Sequence, residues 1–331
     1  MRRLIRLVSA LLMLLVVAAG IVAMRYQQFV GREVNLPDDR LVTIVKGQTA
    51  RDILRQLLDQ QSETYLYIRL FTRLHPELSH LRAGTYELQS GMTVTQAMQH
   101  LSAGQEKLFS ITLVEGLRWQ DWRTQIQQNP LLSWRDFDET AVIEANQLAG
   151  DSLEGWLLPD TYHVPMHTSA KALVEQALKA MTTYLEHAWA QRDANLPLAT
   201  PYEALILASI IEKETAVAAE RPEIAGVFVN RLRSGMRLQT DPTVIYGMGD
   251  AFDGNIRRAD LRTLTPYNTY MIKGLPPTPI AMPSAEAINA ALHPADTEAV
   301  YFVARGDGTH QFSVTLSEHQ AAVRKYQLKQ E

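Results

Sequence analysis

Thr200-Pro201-Tyr202-Glu203-Ala204-Leu205-Ile206-Leu207-Ala208-Ser209-Ile210-Ile211-Glu212-Lys213-Glu214-Thr215 is the stretch on which this chain turns. Thr200 stands at an N-cap, Pro201 at the first helical position and Glu203 three residues after the cap, a capping box that starts a helix. The apolar run carries it forward, and the spacing predicts a helix over 200–219, ended by Arg221-Pro222. At 100° per residue Glu214 shares a face with Leu207, Ile210, Ile211, Val217 and Ala218, whereas Glu212 points away with Leu205, Ser209 and Ala216. Burial on the apolar face disfavours the charged form of Glu214. A carboxyl held protonated near neutral pH is what a general acid requires. Glu212 and Lys213 are expected to form a solvated surface patch. An acid at the end of an apolar helix also serves as a salt-bridge or capping partner, so the helix alone leaves both readings of Glu214 open.

Outward from this helix the larger part of the chain, 116–328, reads as mixed helix and strand. Residues 168–191 place Ala172, Leu173, Ala177, Leu178 and Met181 on one helical face, and 223–232 form another helix. After Gly235 the chain reads as loop-rich, with Gly247, Gly249, Gly254 and the Gly274-Leu275-Pro276-Pro277 turn. A helix follows at 285–292. Strands at 300–304 and 311–314 flank Arg305-Gly306-Asp307-Gly308 as a hairpin. Upstream, 40–115 reads as a small α+β module. Leu41 to Val45 is a strand, Gly47 a turn, and Thr49 starts a helix carrying Ile53, Leu54, Leu57 and Leu58. The pattern returns at Gly84 to Leu88, Gly91 and a Thr93-capped helix closed by Gly104; a third strand covers Phe109 to Val114. The fold class expected is α+β.

Leu7 to Met24 is 18 residues without a charge, about the length that crosses a bilayer. Arg2, Arg3 and Arg6 precede it and only Arg25 follows, so the positive-inside rule puts the N-terminus in the cytoplasm and the body outside. Residues 1–25 are read as a cytoplasmic stub and single-pass anchor. The competing reading, a cleaved signal peptide, meets a poor cleavage site at Ala18-Ala19-Gly20 and an apolar run longer than usual.

Composition narrows the chemistry. The chain has 331 residues, 46% hydrophobic and 21% charged, which excludes wholesale disorder. It has no cysteine, so disulfides, thiolate metal sites and a cysteine nucleophile are excluded. The net charge is −4; without the four N-terminal arginines 28 basic side chains face 36 acidic ones, which argues against nucleic acid as a partner. There is no P-loop, nucleophile elbow or H-E-x-x-H motif. His163 and His167 flank Pro165 and lack further ligands, so no metal and no cofactor are expected.

Three polar–aromatic clusters accompany Glu214: Glu154 to Tyr162, Arg237 to Tyr246, and Tyr267-Asn268-Thr269-Tyr270. Aromatic faces stack on pyranose C–H groups and amides bond hydroxyls, so the clusters suit sugar recognition. Packing tyrosines and turn-forming Asn or Asp give the same composition.

These residues resemble the YceG-like family, the endolytic murein transglycosylases. The matching stretches are Glu154-Gly155 through Tyr162, Ala208 to Thr215, Val229-Asn230-Arg231-Leu232, Leu238-Gln239-Thr240-Asp241-Pro242-Thr243, Tyr267 to Tyr270, Gly274 to Pro277 and Tyr301-Phe302-Val303. The resemblance covers essentially the whole chain, including the anchor. It implies a LysM-like domain joined to a catalytic domain. It also implies cleavage between N-acetylmuramic acid and N-acetylglucosamine inside glycan strands, leaving 1,6-anhydro ends and terminating nascent strands. The family's catalytic glutamate falls on Glu214. Gln239, Asp241, Tyr267, Asn268 and Tyr270 are expected to line the cleft. Implied partners are peptidoglycan strands, with peptidoglycan synthases as candidates. The implied place is the bacterial inner membrane, with the body periplasmic. Two other readings stay open: a hydrolase pairing Glu214 with Asp241, and a non-catalytic wall-binding scaffold.

Overall fold

The structure, a computed structural model, describes residues 2–38, 40–58, 62–135 and 137–328. Met1 of the predicted stub and Asp136 of the predicted larger part lie outside the described residues. Helices and strands are mixed, and the chain divides after Phe109 into two compact units.

The first unit begins with α1 (Arg2–Val30), the one described helix long and apolar enough to cross a membrane. Its 29 residues span about 44 Å at 1.5 Å each. Its most apolar window has a mean hydropathy of 2.8 and buries nothing. Its C-terminal end packs, from Tyr26 onward: Phe29 stacks on Tyr67, with ring centroids 5.8 Å apart. β1 (Leu41–Ile44) pairs antiparallel with β2 (Gly84–Glu87) in the register Val42 to Tyr86. Between them run α2 (Ala50–Leu57) and α3 (Ser62–Leu74), and α4 (Val94–Ala103) follows. Both predicted starts are capping boxes, Thr49 with Asp52 and Thr93 with Gln96. Gly104 caps α4 in the left-handed region, donating its N–H to Leu101. The core is Val42, Ile53, Leu54, Phe71, Tyr86, Met98 and Leu101.

The boundary falls within β3 (Leu108–Leu113), which pairs with β5 (Asp160–Pro165) rather than with β1 and β2. Between them lie α5 (Trp119–Gln128), β4 (Leu132–Ser133) and α6 (Glu139–Asn146). β6 (Thr168–Ser169) pairs with β4, and α7 (Ala170–Ala190) follows. Next come α8 (Pro201–Glu214), α9 (Arg221–Arg233), α10 (Asp241–Met248) and α11 (Ala285–Leu292). The antiparallel hairpin of β7 (Tyr301–Ala304) and β8 (His310–Ser313) precedes α12 (Leu316–Tyr326).

α8 is the centre of this unit. It packs against α7, α9, α10 and α11, and every residue from Ala204 to Ile211 is buried. A helix surrounded on all sides has no solvent face, which corrects two readings. The helix stops at Glu214, short of 219, because Thr215 turns extended and its hydroxyl accepts the Val217 N–H at 3.0 Å. Arg221-Pro222 therefore opens α9, where Pro222 needs no N–H partner. Glu212 is no surface residue: its side chain is 5% exposed. Its Oε1 accepts from Arg221 Nη2 at 3.2 Å, and its Oε2 accepts from the Ser284 amide at 2.9 Å and from the Ser284 hydroxyl. Lys213 is exposed, as expected. On α7 Ala172 is exposed and Val174 takes its place in the core. The segment after Gly235, expected to be loop, contains α10, whose start Thr240-Asp241-Pro242 puts proline in the first turn.

Candidate active site

Glu214 is the last residue of α8 and is half-buried, with its carboxyl crowded by protein groups. Thr240, 2% exposed, donates its hydroxyl to Glu214 Oε1. Thr240 can do so because its turn is pinned from behind. Its amide donates to Thr269 Oγ1 at 3.0 Å, its carbonyl accepts from Thr243 Oγ1 at 2.8 Å, and the Gln239 amide reaches the Thr269 carbonyl at 3.1 Å. Gln239 holds φ +52°, an uncommon conformation for a residue with a Cβ, and its side chain is exposed beside Thr240. Asp241 opens α10 and accepts the Tyr270 hydroxyl at 2.6 Å.

Electrostatics follow from this packing. Burial pushes the Glu214 carboxyl above the ordinary range, the Thr240 hydrogen bond pulls it back, and Asp241 pushes it up again. Arg231 and His310 supply weaker positive fields in the opposite sense. Burial also raises the Tyr270 phenol, which stays a donor to Asp241. The result is a desolvated carboxyl biased toward its protonated form, next to an acceptor and a phenol, which is an arrangement able to deliver a proton to an oxygen leaving group.

The other expected cleft residues fall elsewhere. Asn268 is 1% exposed. Its Nδ2 donates to the carbonyls of Asp260 at 2.9 Å and Thr263 at 2.6 Å, and its Oδ1 accepts the Tyr270 amide at 3.0 Å. It staples the loop that presents Tyr270 and has no polar atom left for a sugar. Tyr267 packs its ring 5.0 Å from Tyr246, and its hydroxyl meets Thr278 Oγ1 at 2.8 Å. That places it with a second acid, the buried Glu154, which accepts from the Trp119 amide at 3.0 Å and from the Tyr246 hydroxyl at 3.2 Å. Burial lifts Glu154 to about 7. A cavity of about 650 Å³ opens beside these elements, between Arg118, Lys213, Pro242, Tyr246 and Phe252. In the Glu154–Tyr162 cluster Trp156 stacks on Tyr202 at 5.3 Å and Tyr162 donates to the Leu158 carbonyl, so both serve packing.

Sequence reasoning passed over Thr240, Arg231 and His310 as individuals. For Arg231 a signal existed: Ile224, Val227, Phe228 and Arg231 share the 3.6-residue stripe of α9, and three are core residues. Among the described residues no three His, Asp or Glu side chains converge as a metal site needs.

A mixed helix–strand fold, an N-terminal helix long and apolar enough to cross a membrane, and a half-buried acid at a helix end mark out the class of protein. Within it, this chain belongs to the YceG-like family, whose profile matches residues 42–325. It is 34% identical to a Bacillus subtilis protein named endolytic murein transglycosylase, over 75% of this chain and 74% of that one. A Streptococcus pneumoniae protein of the same name is 28% identical, over 80% of this chain and 54% of its own length. The crystal structure of a yceG-like protein from Listeria monocytogenes is 30% identical, with a TM-score of 0.54 over 85% of this chain and 98% of that one.

Proposed function

We propose that this chain is an endolytic murein transglycosylase that cuts peptidoglycan glycan strands between N-acetylmuramic acid and N-acetylglucosamine. The observation that carries the reading is the desolvated Glu214 carboxyl at the end of α8, held by Thr240 and set beside Asp241. Protonated Glu214 donates to the departing glycosidic oxygen. The C6 hydroxyl of the same muramic acid attacks C1, and Glu214, now a carboxylate, takes the hydroxyl proton, leaving a 1,6-anhydro end. No second catalytic carboxylate at a fixed separation is needed, unlike two-acid hydrolysis. Asp241, Tyr270 and Gln239 position the sugar, with Tyr267 and Asn268 acting behind them through the loops they hold.

The remaining expectations belong to the same reading. Residues 40–115 serve as the LysM-like module and 116–328 as the catalytic domain. α1 anchors the chain in the inner membrane, with the N-terminus cytoplasmic and the body periplasmic, where an endolytic cut beside a peptidoglycan synthase ends a nascent strand.

Mass spectrometry of products from purified strands tests it, comparing the chain with Glu214→Gln. Internal fragments with 1,6-anhydro ends, lost in the variant, are the expected result. Fragments one water heavier establish a hydrolase and make Asp241 the second acid. Anhydro products persisting in the variant remove Glu214 from the chemistry, and strands bound but uncut favour a scaffold.

A further inference from the structure

Arg231 is an anomaly in α9. It sits on the buried stripe of the helix and is itself 6% exposed. Its Nε donates to the Val300 carbonyl at 2.6 Å and its Nη1 to the Leu238 carbonyl. Both acceptors are neutral, so these bonds satisfy the guanidinium without cancelling its charge. Its Cζ lies 5.5 Å from the Tyr301 ring centroid. A methionine would fill the same volume without the desolvation penalty of a buried ion. Two consequences distinguish the arginine. Its rigid fork joins α9 to Leu238, two residues before Thr240, and to Val300, which enters β7. Its uncancelled charge acts on Glu214.

We propose that Arg231 is a positioning residue for Glu214, fixing the 238–240 turn so that the Thr240 hydroxyl meets the acid and supplying the buried cation that steadies its carboxylate. The proposal rests on the reading of Glu214 as the acid–base. Thr240 alone cannot fix its own turn, because Gln239 stands in the left-handed region and the chain there needs an outside anchor. Thr269 anchors the downstream side through the Gln239 and Thr240 amides, and Arg231 anchors the upstream side through Leu238. When Glu214 has given its proton to the leaving oxygen, the half-buried carboxylate that remains is stabilised by positive charge around it.

The groups facing Glu214 set the sign of the test. Asp241 on α10 opposes its ionisation, the Thr240 hydroxyl favours it, and His310 on β8 and Arg231 on α9 favour it electrostatically. His310 is held by Glu220, which accepts its ring nitrogen and its amide, each at 2.8 Å. Tyr270 faces Asp241, and Tyr301 with the His319 stacked on it faces Arg231. Glu214 must be protonated to start the reaction, so the rate falls as pH rises through its pKa. Removing a cation raises that pKa and moves the basic limb to higher pH.

The full chain in detergent micelles is assayed for strand cleavage across pH as wild type, Arg231→Lys, Arg231→Met, Thr240→Val and Arg231→Lys/Thr240→Val. Arg231→Met moves the basic limb to higher pH, since losing a positive field disfavours the Glu214 carboxylate. Arg231→Lys keeps the charge and leaves the limb in place, but lowers kcat about tenfold because a point charge cannot hold both carbonyls. KM changes by less than about twofold in each, as misplacement acts on the chemical step. The double variant is no slower than Thr240→Val, since the fork acts through Thr240. Independently of turnover, the infrared carboxyl band lost in Glu214→Gln gives the Glu214 titration directly, and Arg231→Met shifts it by the same amount. An unmoved band overturns the electrostatic role. A kcat of Arg231→Lys equal to wild type, or additive losses in the double variant, overturns the clamp. Should Arg231→Met not fold, Arg231→Lys and the cycle decide alone. Wild-type chain that leaves strands intact removes the parent reading, while the band still reports on Arg231.

Discussion

Replacing Glu212 by alanine is expected to destabilise the second unit more than any change at Glu214. The carboxylate is 5% exposed and accepts three hydrogen bonds, from Arg221 on α9 and from the amide and hydroxyl of Ser284 at the start of α11. Alanine deletes all three and leaves the Arg221 guanidinium, 12% exposed, without its carboxylate. Breaking a buried pair from one side costs about 3–5 kcal/mol, because the surviving charge stays desolvated. For a unit of this size each kcal/mol lowers the melting temperature by roughly 2–4 °C, so a drop of roughly 6–20 °C is expected. Glu212→Gln keeps an acceptor for Ser284 and loses only the charge, which costs about 1–3 kcal/mol. Removing both partners in Glu212→Ala/Arg221→Met relieves the stranded charge, so the double variant is more stable than the sum of its parts by at least about 1 kcal/mol. Calorimetry of wild type, these three variants and the single Arg221→Met reads this directly. A Glu212→Ala protein melting within 2 °C of wild type refutes the reasoning and returns Glu212 to the surface.

Two further outcomes follow from the same packing. Glu154 has a folded pKa of about 7 against an ordinary 4.5, so the folded state binds the proton more tightly; its stabilisation is complete below pH 4.5 and is lost as pH rises toward 7. The change is about 3 kcal/mol over that window, and melting curves at pH 5 and pH 8 should lie closer together in Glu154→Gln than in wild type. Gly155 holds φ +79°, and a Cβ there would sit 2.5 Å from Pro279; Gly155→Ala should lose about 1–3 kcal/mol by the same calorimetry, with the strain borne next to Glu154.

The sequence was most readable where local chemistry decides the outcome. The boxes at Thr49 and Thr93 and the left-handed Gly104 are satisfied by residues within one turn of themselves. It was least readable where a distant element decides. Nothing near Glu212 announces Ser284, 72 residues away, so the helical wheel assigned it to water when α11 occupies that side. The same wheel grouped Glu214 with Val217 and Ala218, which lie past the end of α8, and the residue is half-buried. α10 was hidden by Gly247 and Gly249, although Thr240 before Asp241-Pro242 is a start signal. Gly247 is there because Tyr267 approaches it, with only 2.8 Å available between a Cβ and the tyrosine's own. Asn268 carried the composition of a sugar ligand, and only its three backbone bonds reveal a staple.

The position of Glu214 at a helix end also bears on how one residue could serve as acid and then base. The C-terminus of α8 presents the negative end of its dipole, which adds to burial and to Asp241 in favouring the neutral carboxyl. A group driven only that way would hold its proton too firmly to give it up. The Thr240 hydroxyl and the fields of Arg231 and His310 act in the other direction. These opposing influences come from different elements, α8 and α10 on one side and α9, the 238–240 turn and β8 on the other. Shifting any one of them changes the balance without touching the carboxyl itself. On the proposed chemistry that balance is the functional property of the site: the neutral form must exist before bond cleavage and the carboxylate must be tolerated after it. It also explains why the turn before α10 is held from both flanks, since a hydrogen bond that tunes a half-buried acid is useful only at a fixed distance.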